Sequence, residues 1–339
     1  MRGCLMIRRG AWLLKRLFIV GALAGCTSWP TTRPAAAVPP ALVQSDTVLT
    51  LADGVPTPAR VWAPAGSPRA VVLALHGFND SRDAYALPGP VWAADGLLVV
   101  APDQRGFGAA SGRGFWPGGA QLADDAAAML GQLRRRYPGV PLFALGQSMG
   151  GAVLMTLATR ADAPAIDGWI LLSPAVWGRA QQGPALAGGL FVIAGVAPGV
   201  TVTGGEVPLR VRASDNRAAL LALVRNPLTI RRTRLDTVRG LTDLMDDAQA
   251  VAPLLPANTL LLYGEHDMLV PAPAMRKVWR AAPANVRRAV YPAGWHLLVQ
   301  DLGRAGPIAD IAAWIRDPAA WLPSGADFSA AAWAQRGAR

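Results

Sequence analysis

A mostly parallel central β-sheet flanked by helices, with a cap inserted between two of its strands, is the architecture this sequence predicts. Three observations carry it. Continuous apolar runs with β-branched content, the texture of strands buried on both faces, recur along the chain. Helical patterns separate them, which implies parallel strands joined by right-handed crossovers. The alternation breaks once, between Ser173 and about Pro256. Hydrophobic residues make up 52% of the 339 and charged residues 16%, so the chain can bury a large core and does not have the composition of a disordered protein.

Taken in order, the chain opens with an address. Basic residues through Arg16 lead into the apolar run Leu17 to Leu23, then small residues and a cysteine, the order of a secretory signal. The run is short of the roughly 20 apolar residues that span a bilayer. Its end, Leu23-Ala24-Gly25-Cys26, resembles the lipobox of bacterial lipoprotein precursors. That resemblance implies a signal peptide over residues 1–25, cleavage before Cys26, and lipidation of its thiol and new amine. Thr27, rather than Asp, behind the cysteine implies by the same resemblance a lipid-anchored protein of the bacterial cell envelope, at the outer membrane. The alternative is an ordinary cleaved signal with an incidental cysteine. Cys4 and Cys26 are the two cysteines, so a chain cut before Cys26 holds no internal disulfide. Residues 26–43, with the Pro/Ala-rich stretch from Pro30 to Pro40, read as a semi-rigid tether.

The net charge of +11 falls to +6 without Arg2, Arg8, Arg9, Lys15 and Arg16, which all precede Cys26. The clusters Arg134 to Arg136 and Arg231, Arg232, Arg234 come with no nucleic-acid motif, so they read as solvated faces and no nucleic-acid partner is expected.

Two β-rich runs between Asp46 and Pro64 form a leading hairpin. Strands follow at Ala70–Leu75, Leu97–Ala101, Leu142–Leu145, Ile166–Leu172, Thr259–Tyr263 and Val286–Tyr291. Helical patterns lie at Gln121–Tyr137, Gly150–Arg160, Pro273–Ala281 and Ile308–Ile315. Residues 44–173 and 257–320 thus form the core, 174–256 the cap, and 321–339 a C-terminal tail. No repeat of 20–50 residues indicates a solenoid or propeller.

The chemistry is expected at strand ends. Gly146-Gln147-Ser148-Met149-Gly150 places G-x-S-x-G between a strand and a helix, the setting in which a sharp turn presents a nucleophilic hydroxyl. A serine needs a base near neutral pH. Of His76, His266 and His296, the last follows the final strand, where a loop can bring imidazole over the turn. The acid belongs after the preceding strand, where Glu265 and Asp267 both stand. Either is also placed to cap the helix near Pro271. Backbone donors for a developing oxyanion are expected from Met149, beside the serine, and Phe78, in the His76-Gly77-Phe78 exit. His76 is expected to buttress that loop and His266 to be structural.

Residues from about 46 to 318 resemble an α/β-hydrolase of the monoacylglycerol lipase/lysophospholipase type, with HGFNDS, DQRGFGAASG, GQSMGG, GEHDMLVP and GWHLLVQD in family order. The resemblance implies the α/β-hydrolase fold, a triad of Ser148, Asp267 and His296, and oxyanion donors Phe78 and Met149. It is also what places Asp267 ahead of Glu265. Gln147 stands where this branch often has His, and Leu297 where it often has Glu.

The segment Pro184–Thr203 carries no charged side chain, and its glycines make it a poor spanning helix. An apolar cap over a serine turn is expected to hold an acyl chain, with Leu186, Leu190, Phe191 and Ile193 as candidate wall. The expected activity is therefore hydrolysis of carboxylic esters of lipids, of monoacylglycerol or lysophospholipid type, through an acyl-enzyme. The alternatives are an acyltransferase or thioesterase on the same fold, or a non-catalytic lipid-binding envelope lipoprotein. No metal or redox cofactor is expected, since the histidines form no ligand cluster.

Overall fold

A computed structural model describes residues 43–203 and 211–336. The expected signal peptide, Cys26 and nearly all of the tether lie outside the described residues. β1 (Val43–Thr50) and β2 (Pro56–Ala63) form the antiparallel leading hairpin. β3 (Ala70–Leu75) is followed by α1 (Pro88–Ala94), β4 (Leu97–Pro102), α2 (Gly119–Arg136), β5 (Leu142–Gln147), α3 (Met149–Ala158) and β6 (Gly168–Leu172). The cap follows as α4 (Arg179–Gln182), α5 (Pro184–Val196), β7 (Thr201–Val202), α6 (Arg217–Arg225), β8 (Thr233–Arg234) and α7 (Leu235–Val251). The core resumes with β9 (Thr259–Gly264), α8 (Ala272–Ala281), β10 (Arg287–Tyr291), α9 (Ala305–Arg316) and α10 (Ala326–Arg336).

The strands join in the order β1-β2-β4-β3-β5-β6-β9-β10, parallel from β4 to β10, with β2 antiparallel to both neighbours. This is the α/β-hydrolase fold. Every residue of β3, β4, β5, β6 and β9 is buried, as continuous apolar strands require when helices cover both faces. The alternation of side chains still sorts them. Val71, Leu73 and Leu75 face the layer of α2, α3 and α8, while Ala70, Val72 and Ala74 face that of α1 and α9. In α2, Leu122, Ala126, Met129 and Leu133 return every three or four residues to one buried face, and Arg134 to Arg136 close its last turn. Arg134 caps the carbonyl of Val140 at 3.0 Å and pairs with Asp167 at 3.1 Å, so this member of the cluster serves the fold, while Arg135 and Arg136 are exposed.

Two parts differ from expectation. α1 lacks a helical pattern in sequence because two prolines and a glycine crowd its first turn. Tertiary contact holds it: Trp92 is buried and its indole N–H donates to the Ile308 carbonyl at 3.0 Å. Residues 321–339, expected as a tail, contain α10, which buries Ala326, Ala330 and Trp333. The Trp333 ring packs 5.0 Å from that of Trp279 and 5.3 Å from that of Tyr263, so the helix closes the core at the β10 edge.

Within the cap, α7 is as much core as lid. Its Leu244, Met245 and Ala248 are buried with α2 and α3. No helix of the described residues is long and apolar enough to cross a membrane.

Candidate active site

A single residue turns the chain from β5 into α3. Ser148 does so at φ 52° and ψ −113°, a left-handed conformation that costs a residue with a Cβ of order 1–3 kcal/mol. The surroundings hold it there. The Ser148 N–H donates to the Leu172 carbonyl at 2.9 Å, and its own carbonyl accepts from Ala152 at 3.0 Å and Ala175 at 2.9 Å. The flanking glycines are required by space. A Cβ on Gly146 would stand 2.4 Å from the Gly150 backbone, and one on Gly150 would stand 2.4 Å from the Leu75 carbonyl oxygen.

His296 lies in the loop after β10, buried, with Nδ1 2.8 Å from Asp267 Oδ2. Asp267 sits in the turn after β9, and its second oxygen accepts from the N–H groups of Leu269 at 2.8 Å and Val270 at 2.9 Å. The same side chain thus orders its turn and engages the imidazole. A carboxylate at Nδ1 places the proton there and leaves Nε2 as the acceptor nitrogen. Glu265, the competing acid, is held instead by Arg336 of α10, 3.0 Å away. His266 packs edge-on to Trp295, with ring centroids 5.3 Å apart.

The loop after β3 closes against the serine. A Cβ on Gly77 would lie 3.4 Å from the Ser148 Cβ, and the neighbouring Phe78 lines the same cavity as the serine. Met149 is the first residue of α3, so its N–H is one of the unpaired donors at the helix start, on the positive end of the dipole. His76 fastens this loop to the one after β4. Its Nδ1 lies 2.8 Å from the Gly77 carbonyl, its Nε2 accepts from the Gln104 N–H at 3.0 Å, and Gln104 Nε2 donates back to the His76 carbonyl at 2.7 Å. Complete burial pushes the His76 pKa down, against the opposing charge of Asp103, so it stays neutral. Asp103 in turn accepts from the N–H groups of Arg82 and Ala109, both at 2.7 Å.

Ser148 and His296 share a cavity of about 630 Å³ with Gly77, Phe78 and Gln147. Its far wall is apolar, built from Trp177, Val202, Leu223, Val238, Leu241 and Met245. Of the expected acyl wall, Leu186 and Leu190 have side chains outside the described set. Phe191 and Ile193 are corrected: they are 50% and 53% exposed and do not line the cavity. The reason is packing order. α7 supplies Val238, Leu241 and Met245 to the cavity wall, while α5 packs on α7 away from it, with the Arg239 guanidinium 4.1 Å over the Phe191 ring. Val238, Leu241 and Met245 recur at steps of three and four, so this stripe was legible in the sequence as an amphipathic face.

The polar floor was not anticipated. Asp80 lines the cavity with a buried carboxyl whose pKa burial pushes up to about 7, helped by the charges of Asp83 and Asp103. Gln147 Oε1 and Asn79 Oδ1 are buried there without a protein donor among the described residues. The same described residues contain no cluster of three or more His, Cys, Asp or Glu able to hold a metal.

The chain is similar to known proteins in sequence and in fold. The chain is 28% identical over 259 residues to the monoacylglycerol lipase of Mycolicibacterium smegmatis, spanning 75% of this chain and 91% of that protein. It is 27% identical over 259 residues to the monoglyceride lipase of Homo sapiens, spanning 74% and 83%. The crystal structure of a soluble variant of the Saccharomyces cerevisiae monoglyceride lipase, in complex with a substrate analog, shares the fold with a TM-score of 0.69 at 18% identity, over 84% of this chain and 98% of that one. The profile described as serine aminopeptidase, S33, matches residues 66–303, from just before β3 to just beyond the His296 loop. On that match, which runs over well more than half its length and takes in the ends of β3, β5, β9 and β10 around the site, the chain belongs to the serine aminopeptidase, S33 (Hydrolase_4) family of α/β-hydrolases.

Proposed function

We propose that the chain is a serine hydrolase of lipid carboxylic esters, of monoacylglycerol or lysophospholipid type, working through an acyl-enzyme on Ser148. The observation that carries this reading is one cavity rimmed by the strained Ser148 and the Asp267-paired His296, with an apolar wall beyond. In the first step His296 Nε2 takes the hydroxyl proton as Ser148 Oγ attacks the ester carbonyl. Asp267 keeps the imidazole in the reactive tautomer and stabilises the imidazolium. The Phe78 and Met149 N–H groups receive the oxyanion. Collapse expels the alcohol, protonated by His296, and leaves the acyl group on Ser148. Water activated by His296 then releases the acid.

The apolar wall suits an acyl chain, and the acceptors Asn79, Asp80 and Gln147 suit a hydroxyl-bearing leaving group. Both relatives named above are monoacylglycerol or monoglyceride lipases, which favours hydrolysis of small-headgroup esters. We also propose that Cys26 carries the lipid anchor, holding the enzyme at a membrane surface where such esters reside.

A fluorophosphonate probe and a panel of acyl esters test the reading. Labelling at Ser148, lost in Ser148→Ala, together with turnover that rises with chain length, is the expected result. A labelled protein that turns over no ester points to the non-catalytic reading. Ester exchange onto added alcohol in place of acid release points to the acyltransferase.

A further inference from the structure

Besides the hydrogen bonds of its own loop, the backbone around His296 is tied to the cap. On one side the Trp295 N–H donates to Asp301 Oδ2 at 2.7 Å. On the other the Leu297 N–H donates to the Ala213 carbonyl at 3.0 Å. Both restraints lead to the short segment through which the cap returns to α6. Asp301 Oδ1 accepts from Ser214 Oγ at 2.5 Å, and Asn216 Nδ2 donates to the Gln300 carbonyl at 2.8 Å. The Ser214 hydroxyl also accepts from the Asn216 N–H at 3.1 Å. Ser214, Asn216, Gln300 and Asp301 are all buried. A carboxylate taken out of water needs such partners, and its removal takes the acceptor from the Trp295 N–H and from the Ser214 O–H.

We propose that Asp301 and Ser214 are positioning residues, making the cap's return segment the strut that sets the His296 imidazole over Ser148. This rests on His296 acting as the base in the reading above. The core supplies Asp267 to orient the ring and Asp301 to hold the Trp295 N–H, and the cap fastens the frame through Ser214 on Asp301 and the Ala213 carbonyl on Leu297. Ala213 lines the cavity together with Leu297 and His296. An acyl chain lodged under the cap therefore presses on the segment that holds the base, and chain occupancy feeds into kcat as well as KM.

The charges around the strut set its pH range. Burial, then Asp215 in the same cap segment, push Asp301 up to about 6, against its hydrogen bonds from Ser214 and Trp295 and the charge of His296. Arg212 lies with its guanidinium 4.6 Å over the Trp295 ring and donates to the Ser214 carbonyl at 2.9 Å, and Arg304 donates to the Asp301 carbonyl at 3.1 Å. As pH falls through about 6, Asp301 takes a proton and loses acceptor capacity. The strut loosens on the acid side.

The test compares Asp301→Ala, Asp301→Asn and Ser214→Ala in the full chain, by kinetics on a butyryl ester and by NMR of the imidazole nitrogens. The chain has three histidines, and the His296 signal is identified by its loss in His296→Ala. Asp301→Ala is expected to lower kcat about 10- to 100-fold, the cost of a misplaced group, with KM within about threefold. Ser214→Ala should move kcat less, in the same direction. Asp301→Asn keeps one acceptor and should fall between, with the acid limb of kcat/KM reduced from two ionisations to one. The His296 signal should broaden or shift in Asp301→Ala. Unchanged kcat, a loss confined to KM, or a His296 signal identical to wild type overturns the strut. Should Asp301→Ala fail to fold, Ser214→Ala answers the same question. If the wild type cleaves no ester, the functional reading fails, and the His296 signal still decides whether the strut exists.

Discussion

Ser148 and His296 line one cavity while Asp267 pairs with the imidazole, and on the proposed mechanism each of the three can be tested alone. Ser148→Ala removes the nucleophile but not the turn, so ester turnover should fall on the order of 10⁶-fold with the circular dichroism spectrum unchanged. Asp267→Asn preserves shape but reverses the tautomer, and a loss on the order of 10⁴-fold in kcat is expected. Glu265→Gln breaks an exposed pair with Arg336 and should stay within about twofold. A larger loss for Glu265 than for Asp267 would reverse the assignment of the acid. Asp80 makes a separate prediction. Its folded pKa of about 7 stands above the ordinary 3.8, so the folded chain binds the extra proton between those values. The contribution of this group to stability therefore declines as pH rises from about 4 to about 7. Asp80→Asn should raise the Tm by a few degrees at about pH 8 and leave it unchanged at about pH 4, and equal shifts at both would refute the burial argument.

Among the elements, α7 and α10 carry the main departures from the sequence reading. α7 presents its apolar stripe to the cavity that holds Ser148, and under the proposed function this stripe selects the acyl chain. Leu241→Trp, which fills the cavity, should cut kcat/KM for a dodecanoyl ester at least about tenfold more than for a butyryl ester. Phe191→Asp, at a residue stacked on Arg239 and outside the cavity lining, should change neither, and a selective loss there would restore α5 to the acyl wall. α10 buries Trp333 against Trp279 and Tyr263, with its ring also under the Arg276 guanidinium at 3.9 Å. Trp333→Ala should cost about 3–5 kcal/mol in denaturant unfolding, far above what a loose tail tolerates. A change below about 0.5 kcal/mol would return residues 321–339 to a tail.

At the scale of the whole molecule, the proposal is an ester hydrolase tethered near its substrate. Two or more acyl chains hold a protein stably at a bilayer, where one gives marginal binding. Cys26→Ser should therefore block lipidation and cleavage at this site and leave an uncut precursor, read as the retained mass of the signal segment. Intact mass of the wild-type chain is the deciding measurement: an unmodified Cys26 in the mature protein ends the anchor proposal.

Much of this was written locally. Apolar strands buried on both faces need a continuous β-branched run, so β3 could be read to its ends from Ala70 to Leu75. The turn at Ser148 needs glycines on both sides for steric reasons that act over five residues, so the G-x-S-x-G run and its strand-to-helix setting were legible as a nucleophile turn. Contacts between distant segments were not. Which acid meets His296 depends on two turns packed side by side, and Arg336, 71 residues away, takes up Glu265. α10 is helical because Trp333 finds a slot among residues from β9 and α8, which no local pattern announces. The Asp301–Ser214 contact joins residues 87 apart. Sequence determined the elements whose cause lies within one turn or strand, and tertiary structure decided every pairing whose partner the chain reaches only by folding back.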